Sequence, residues 1–189
     1  MPGSAVAGVP EAPVLGDGVV LLDAYRAWDV AAMQAGADPE IVRWINEGVV
    51  STVEQDRSAV ARWETSWRTG GPQRTWAVRD RATGVLAGGC ELRLDSPGTA
   101  AGSYWVYPGH RGRGLAARAL TLAVDHAFTD LAVFRAELLI EVANTVSHRV
   151  AAAAGFHREG VLRGVFDHHG DRCDAVSWSR LPTDPHPAR

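Results

Sequence analysis

Lysine is missing from this chain: all 19 basic residues are arginine. There is therefore no Schiff-base lysine, no lysine to hold pyridoxal phosphate and no Walker-type phosphate lysine. Cysteine is scarce, Cys90 and Cys173 standing far apart with no Cys-x-x-Cys spacing. Two isolated thiols predict reduced side chains within strands and a cytoplasmic setting. The N-terminal residues lack a basic start and a sustained apolar stretch, so 1–14 reads as a flexible leader and not a signal peptide. No run is apolar and long enough to span a bilayer. Positive charge is not in excess either. A formal net charge of −3 argues against nucleic acid or an anionic membrane as partner.

What is present describes one globular domain. The 189 residues are 46% hydrophobic and 22% charged, enough for a substantial single core. Strands are expected at Val19–Leu22, Thr75–Val78, Val85–Leu94, Gly102–Tyr107, Phe134–Val142, Gly160–Phe166 and Cys173–Ser179. Helices are expected from Ala27 to about Gln34, from Asp38, from Ser51 or Thr52 to about Arg68, from Gly114 to Thr129 and from Asn144 to Ala154. The order is that of a mixed α/β (α+β) domain over 15–181, followed by a fraying tail at 182–189. Asp167-His168-His169-Gly170-Asp171 joins the last two strands. Its adjacent histidines point to opposite faces of an extended segment, so no metal site is expected there.

The stretch Tyr104 to Ala116 carries most of the functional information. A β-branched and aromatic strand runs into Pro108-Gly109-His110-Arg111-Gly112-Arg113-Gly114 and then into the helix starting at Leu115-Ala116. Three glycines leave main-chain N–H groups uncovered, and the helix adds its unpaired amides and positive dipole end. The combination predicts a cradle for a phosphate or pyrophosphate, with Arg111 and Arg113 as charged walls.

Arg111-x-x-Gly114-x-Ala116 after the fourth expected strand resembles the GCN5-related N-acetyltransferase (GNAT) superfamily. A second block, Asn144-Thr145-Val146-Ser147, then Val150 and Gly155-Phe156, is similar to its RimJ/RimL-type branch. Asp38-Pro39-Glu40 with Arg43-Trp44 fits the same branch. The resemblance implies a single GNAT-like domain whose mixed sheet is splayed between the fourth and fifth expected strands by a bulge in the fourth, with helices on both faces. It implies acetyl-CoA as co-substrate and no metal. Val106 would bond the pantetheine arm, and the amides from Arg111 through Gly112, Arg113, Gly114, Leu115 and Ala116 would hold the pyrophosphate. Asn144 would contact the pantetheine or acetyl region, and Ser147 would serve the departing thiolate. The N–H of Val106 or Tyr107 would receive the developing oxyanion.

The resemblance further implies direct attack of a primary amine on the thioester. Where some relatives place a glutamate base, this chain has Phe166 beside Asp167. Glu91 is the first substitute, followed by Glu141 and Asp167. An α-amine, with a pKa near about 7.7–8.0, needs less help from a base than a lysine near about 10.4. A protein N-terminus or a small amine such as an amino sugar is accordingly the expected acceptor, handled by a monomer or homodimer. Of Trp28, Trp44, Trp63 and Trp67, one or two are expected to line the acceptor pocket. The competing reading is an acyl-CoA-binding sensor without turnover. A dinucleotide-binding oxidoreductase fits poorly, because the glycine turn lies late in the chain and no βαβ unit opens it.

Overall fold

The computed structural model describes residues 11–46, 48–168 and 171–187. Most of the expected leader, His169 and the final two residues lie outside that range. Eight strands form one mixed sheet: β1 (Leu15–Gly16), β2 (Val20–Asp23), β3 (Gln73–Asp80), β4 (Leu86–Ser96), β5 (Thr99–Val106), β6 (Arg135–Glu141), β7 (His157–His168) and β8 (Asp171–Arg180). Their order across the sheet is β1-β2-β3-β4-β5-β6-β8-β7. The short β1 is one strand more than the sequence predicts. Asp17 makes it possible, its carboxylate accepting from Val19 N and Val20 N at 2.9 and 3.0 Å and turning the chain back onto β2.

The helices are α1 (Val30–Gly36, after a short 3-10 turn), α2 (Pro39–Trp44), α3 (Val53–Thr69), α4 (Leu115–Asp130) and α5 (Thr145–Ala153). Thr52 and Gln55 close a reciprocal capping box at the start of α3. Helix α4 lays Leu115, Leu120 and Val124 against the sheet, fully buried with Leu92, Leu138 and Trp76. Each such aliphatic side chain contributes roughly 1.5–3 kcal/mol through burial. Tyr25, Val60, Trp63 and Ala77 form a second core on the opposite face. No helix among the described residues is long and apolar enough to cross a membrane.

One feature of the sheet positions the site. Every neighbouring pair is antiparallel except β5 with β6, which run parallel and pair only from Thr99 to Ala101 against Arg135 to Glu137. Beyond Ala101 the two strands part. Leu138 occupies the space over Gly102, where a Cβ would lie 2.9 Å from it. The expected bulge is not the cause of the splay: β4 and β5 stay in register from Gly88↔Val106 to Arg93↔Ala101, and the irregularity falls between Arg93 and Ser96.

Candidate active site

The splay opens a cleft of about 980 Å³ through the sheet. Strand alternation assigns its two sides. Tyr104 and Val106 of β5 pack with Leu138 and Ile140 of β6 in the core beneath α4. Ser103, Trp105, Leu139 and Glu141 therefore line the cleft from the opposite face.

On the α4 side the glycine turn has the predicted form. Gly112 (φ 76°) and Gly114 (φ 73°) are both left-handed, and a Cβ at either would meet nothing within 4 Å. Gly114 is the N-cap of α4, so the first amides of a sixteen-residue helix open onto this concavity. Gly112, Gly114, Leu115 and Ala116 line the cleft. The bare turn leaves its main-chain amides open to the cleft.

The two arginines differ from expectation. Arg113 lies outside the cleft lining and gives Nη1 to Asp80 at 2.6 Å. Arg111 lines the cleft, but its guanidinium grips Asp38 at the N-terminus of α2, with Nη1 at 2.7 Å and Nη2 at 2.9 Å. Its Nε donates to the Val106 carbonyl at 2.9 Å. That bidentate bond holds the Asp38 carboxyl below its usual value. A partner 73 residues away claims the charge that sequence alone assigns to a phosphate.

The two amide candidates for the oxyanion also separate. Tyr107 N donates to Ala87 O at 2.8 Å, and its side chain is buried among Tyr25, Val30 and Met33. Burial pushes its phenol up to about 12. Tyr107 is thus a packing residue outside the cleft lining. The same alternation turns the Val106 amide away from β4, towards the splay.

Across the gap, Asn144 caps α5, its Oδ1 accepting from Ser147 N at 3.1 Å. Both residues line the cleft. Tyr104, which sequence reasoning missed, donates its hydroxyl to the Ser147 carbonyl at 3.0 Å. Burial raises its pKa, which keeps the phenol a neutral donor. It is a strut from β5 to α5 spanning the splay.

Glu91 lies elsewhere. It is outside the cleft lining, its side chain is 12% exposed and 3.5 Å from Arg93, and one oxygen accepts from Gln73 Nε2 at 2.7 Å and Thr75 Oγ1 at 2.8 Å. Alternation predicts its face but not these neighbours. Glu141 and Asp167, ranked behind it from sequence, both line the cleft. Of the four N-terminal tryptophans only Trp44 lines it; Trp63 and Trp67 are buried and Trp28 is exposed. The strand residue Trp105 is the second lining indole. Among the described residues no group of three His, Cys, Asp or Glu side chains is placed to hold a metal ion.

Comparison with known proteins bears on the family and the fold. The family model for an acetyltransferase (GNAT) domain matches residues 20–157. The uncharacterized N-acetyltransferase p20 of Bacillus licheniformis is 27% identical over 150 residues, covering 78% of this chain and 84% of its own. The spermidine N(1)-acetyltransferase of Escherichia coli K12 is 32% identical over 71 residues, 38% of each chain. Among solved structures, a GNAT-family acetyltransferase from Bacillus anthracis superposes with a TM-score of 0.79 at 19% identity, covering 89% of this chain and 98% of that one. Mycobacterium smegmatis RimJ in complex with CoA-disulfide gives 0.77 at 23% identity, covering 90% and 88%.

Proposed function

We propose, for a chain that belongs to the GNAT acetyltransferase family, that it moves an acetyl group from acetyl-CoA to a primary amine by direct attack on the thioester. One observation carries this reading. The bare glycine turn at the head of α4, the outward edge of β5 and the Asn144–Ser147 cap of α5 all open into a single cleft that passes through the sheet.

The diphosphate of the coenzyme rests on the amides from Gly112 to Ala116, and the pantetheine arm adds to the edge of β5 at Val106, as an extra strand would. The thioester then lies between Val106 and Ser147. The amine nitrogen reaches the carbonyl carbon from the other face of the sheet, and its proton passes to a carboxylate, for which Glu141 replaces Glu91. The Val106 N–H stabilises the oxygen as charge develops on it. As the C–S bond breaks, the Ser147 hydroxyl stabilises the departing thiolate by donating a hydrogen bond to it, and the thiolate takes its proton from solvent. Tyr104 fixes Ser147 through its carbonyl and is a positioning residue.

The test is calorimetry with acetyl-CoA and CoA, followed by thiol release in the presence of amines. Binding of both coenzymes with amine-dependent thiol release is expected. Absence of any interaction with either coenzyme would overturn the reading; binding without thiol release for any amine would favour an acyl-CoA sensor.

A further inference from the structure

The arginines around the glycine turn are already engaged. Arg111 is paired with Asp38 and Arg113 with Asp80. In the first turn of α4, Arg118 gives Nη1 to Asp17 at 2.7 Å. The diphosphate is therefore left to the amides from Gly112 to Ala116. Elsewhere in the lining, Arg43 lies over the Trp44 ring, 4.3 Å from its centre. Arg149 of α5 is different. It lines the cleft and has no ion pair, hydrogen bond or ring contact among the described residues.

Its place on α5 is set by helical spacing. Val146, Arg149, Val150 and Ala153 share one face, and all four line the cleft. Ala151 and Ala154 turn into the core shared with α4. Ser147 marks the inner edge of the lining face, where Tyr104 holds its carbonyl. Two residues on, Arg149 is turned to the outer edge and is exposed. An arginine placed this way lays its stem along apolar neighbours and carries its guanidinium to the mouth of the groove. Ala116 and Ala117 of α4 line the same cleft, and their short side chains leave room beside the amides.

Coenzyme A carries, besides its diphosphate, a phosphate monoester on the 3′ oxygen of the adenosine ribose. The monoester brings close to two negative charges at neutral pH. With the α4 amides taken by the diphosphate, it needs a cation of its own. The planar guanidinium fork matches a phosphate with two parallel hydrogen bonds.

We infer that Arg149 is a donor-specificity residue: its guanidinium binds the 3′-phosphate, so that the protein prefers CoA thioesters to carriers that lack this group. The inference rests on the transferase reading, and the experiment keeps the two apart. Calorimetry of the full chain with CoA and with dephospho-CoA, which differ by the 3′-phosphate alone, is run on the parent, Arg149→Ala and Arg149→Glu. The parent is expected to bind CoA about tenfold more tightly than dephospho-CoA. In Arg149→Ala the ratio should fall to about one through weaker CoA binding, with dephospho-CoA affinity kept as the control for folding. In Arg149→Glu it should fall further, because the carboxylate repels the phosphate. A parent that binds both equally overturns the inference and leaves the transferase reading standing. So does an unchanged ratio in Arg149→Ala, or loss of both ligands in that variant, which would assign Arg149 to the fold or the diphosphate. If the parent binds neither, both readings fall.

Discussion

At Gly114 a single backbone angle decides two things. Its φ of 73° is a region that costs an ordinary L residue about 1 kcal/mol or more. The open space around it is the space the diphosphate needs. Gly114→Ala is therefore expected to fold with a small loss of stability and weakened coenzyme binding. Gly114→Glu, which sets a carboxylate among the same amides, is expected to abolish acetyl-CoA binding by calorimetry while circular dichroism stays that of the parent. Retained affinity in Gly114→Glu would place the coenzyme elsewhere. Glu159 makes the second residue-scale argument. Arg135, Ser179 and Ser177 together hold its carboxyl at about 2, down from 4.5. A carboxylate with a depressed folded value stabilises the protein above its unfolded value and loses that contribution as pH falls through the folded one. Glu159→Gln is thus expected to unfold more easily than the parent in urea above about pH 5. The difference should shrink steadily between pH 4.5 and 2; a gap that stays constant with pH would assign the loss to packing.

Helix α2 is six residues long and too short to hold its place by its own hydrogen bonds. Asp38 holds it in two ways, capping it through Ile41 N at 3.0 Å and pairing with Arg111 of the glycine turn. Asn is as good a cap as Asp but cannot neutralise a guanidinium, so Asp38→Asn separates the two roles. A partly exposed bidentate pair contributes about 1 kcal/mol. The variant is accordingly expected to raise the amine KM roughly fivefold, with acetyl-CoA affinity changed less than twofold. An unchanged KM would show that α2 is held by Ile41 and its apolar neighbours alone. This helix also marks where the sequence stops being legible. The glycine turn could be read because it is local: strand, turn and helix follow one another within Tyr104–Ala116. The parting of β5 from β6 was expected, but the close approach of Leu138 over Gly102 was not, since it comes from another strand. The acceptor side is assembled from distant parts, with Asp38 meeting Arg111 across 73 residues and Tyr25 meeting Gly88 across 63. No local pattern encodes such pairs. Glu91 was misplaced for the same reason: its strand and spacing were legible, but the Gln73 and Thr75 side chains that hold it were not.

The whole molecule is a sheet in two parts, β1 to β5 and β6-β8-β7, joined across the middle by a ladder of three residue pairs. Beyond that ladder the parts are linked by α4 packed on α5 in the shared core and by the Tyr104–Ser147 strut. A coenzyme arm lying along the outward edge of β5 would bridge the gap with main-chain hydrogen bonds, so its binding should act on the sheet as a whole. At a hundred times its Kd, a ligand that binds only the folded state adds about 2.7 kcal/mol. For a chain of this length that is a rise in Tm of roughly 5–10 °C. Hydrogen exchange should slow most at Gly102–Val106, whose outward amides face the splay, and Gly114→Glu should show neither effect. A rise in Tm without protection of Gly102–Val106 would mean that the coenzyme grips the α4 turn alone and leaves the two parts of the sheet unbridged.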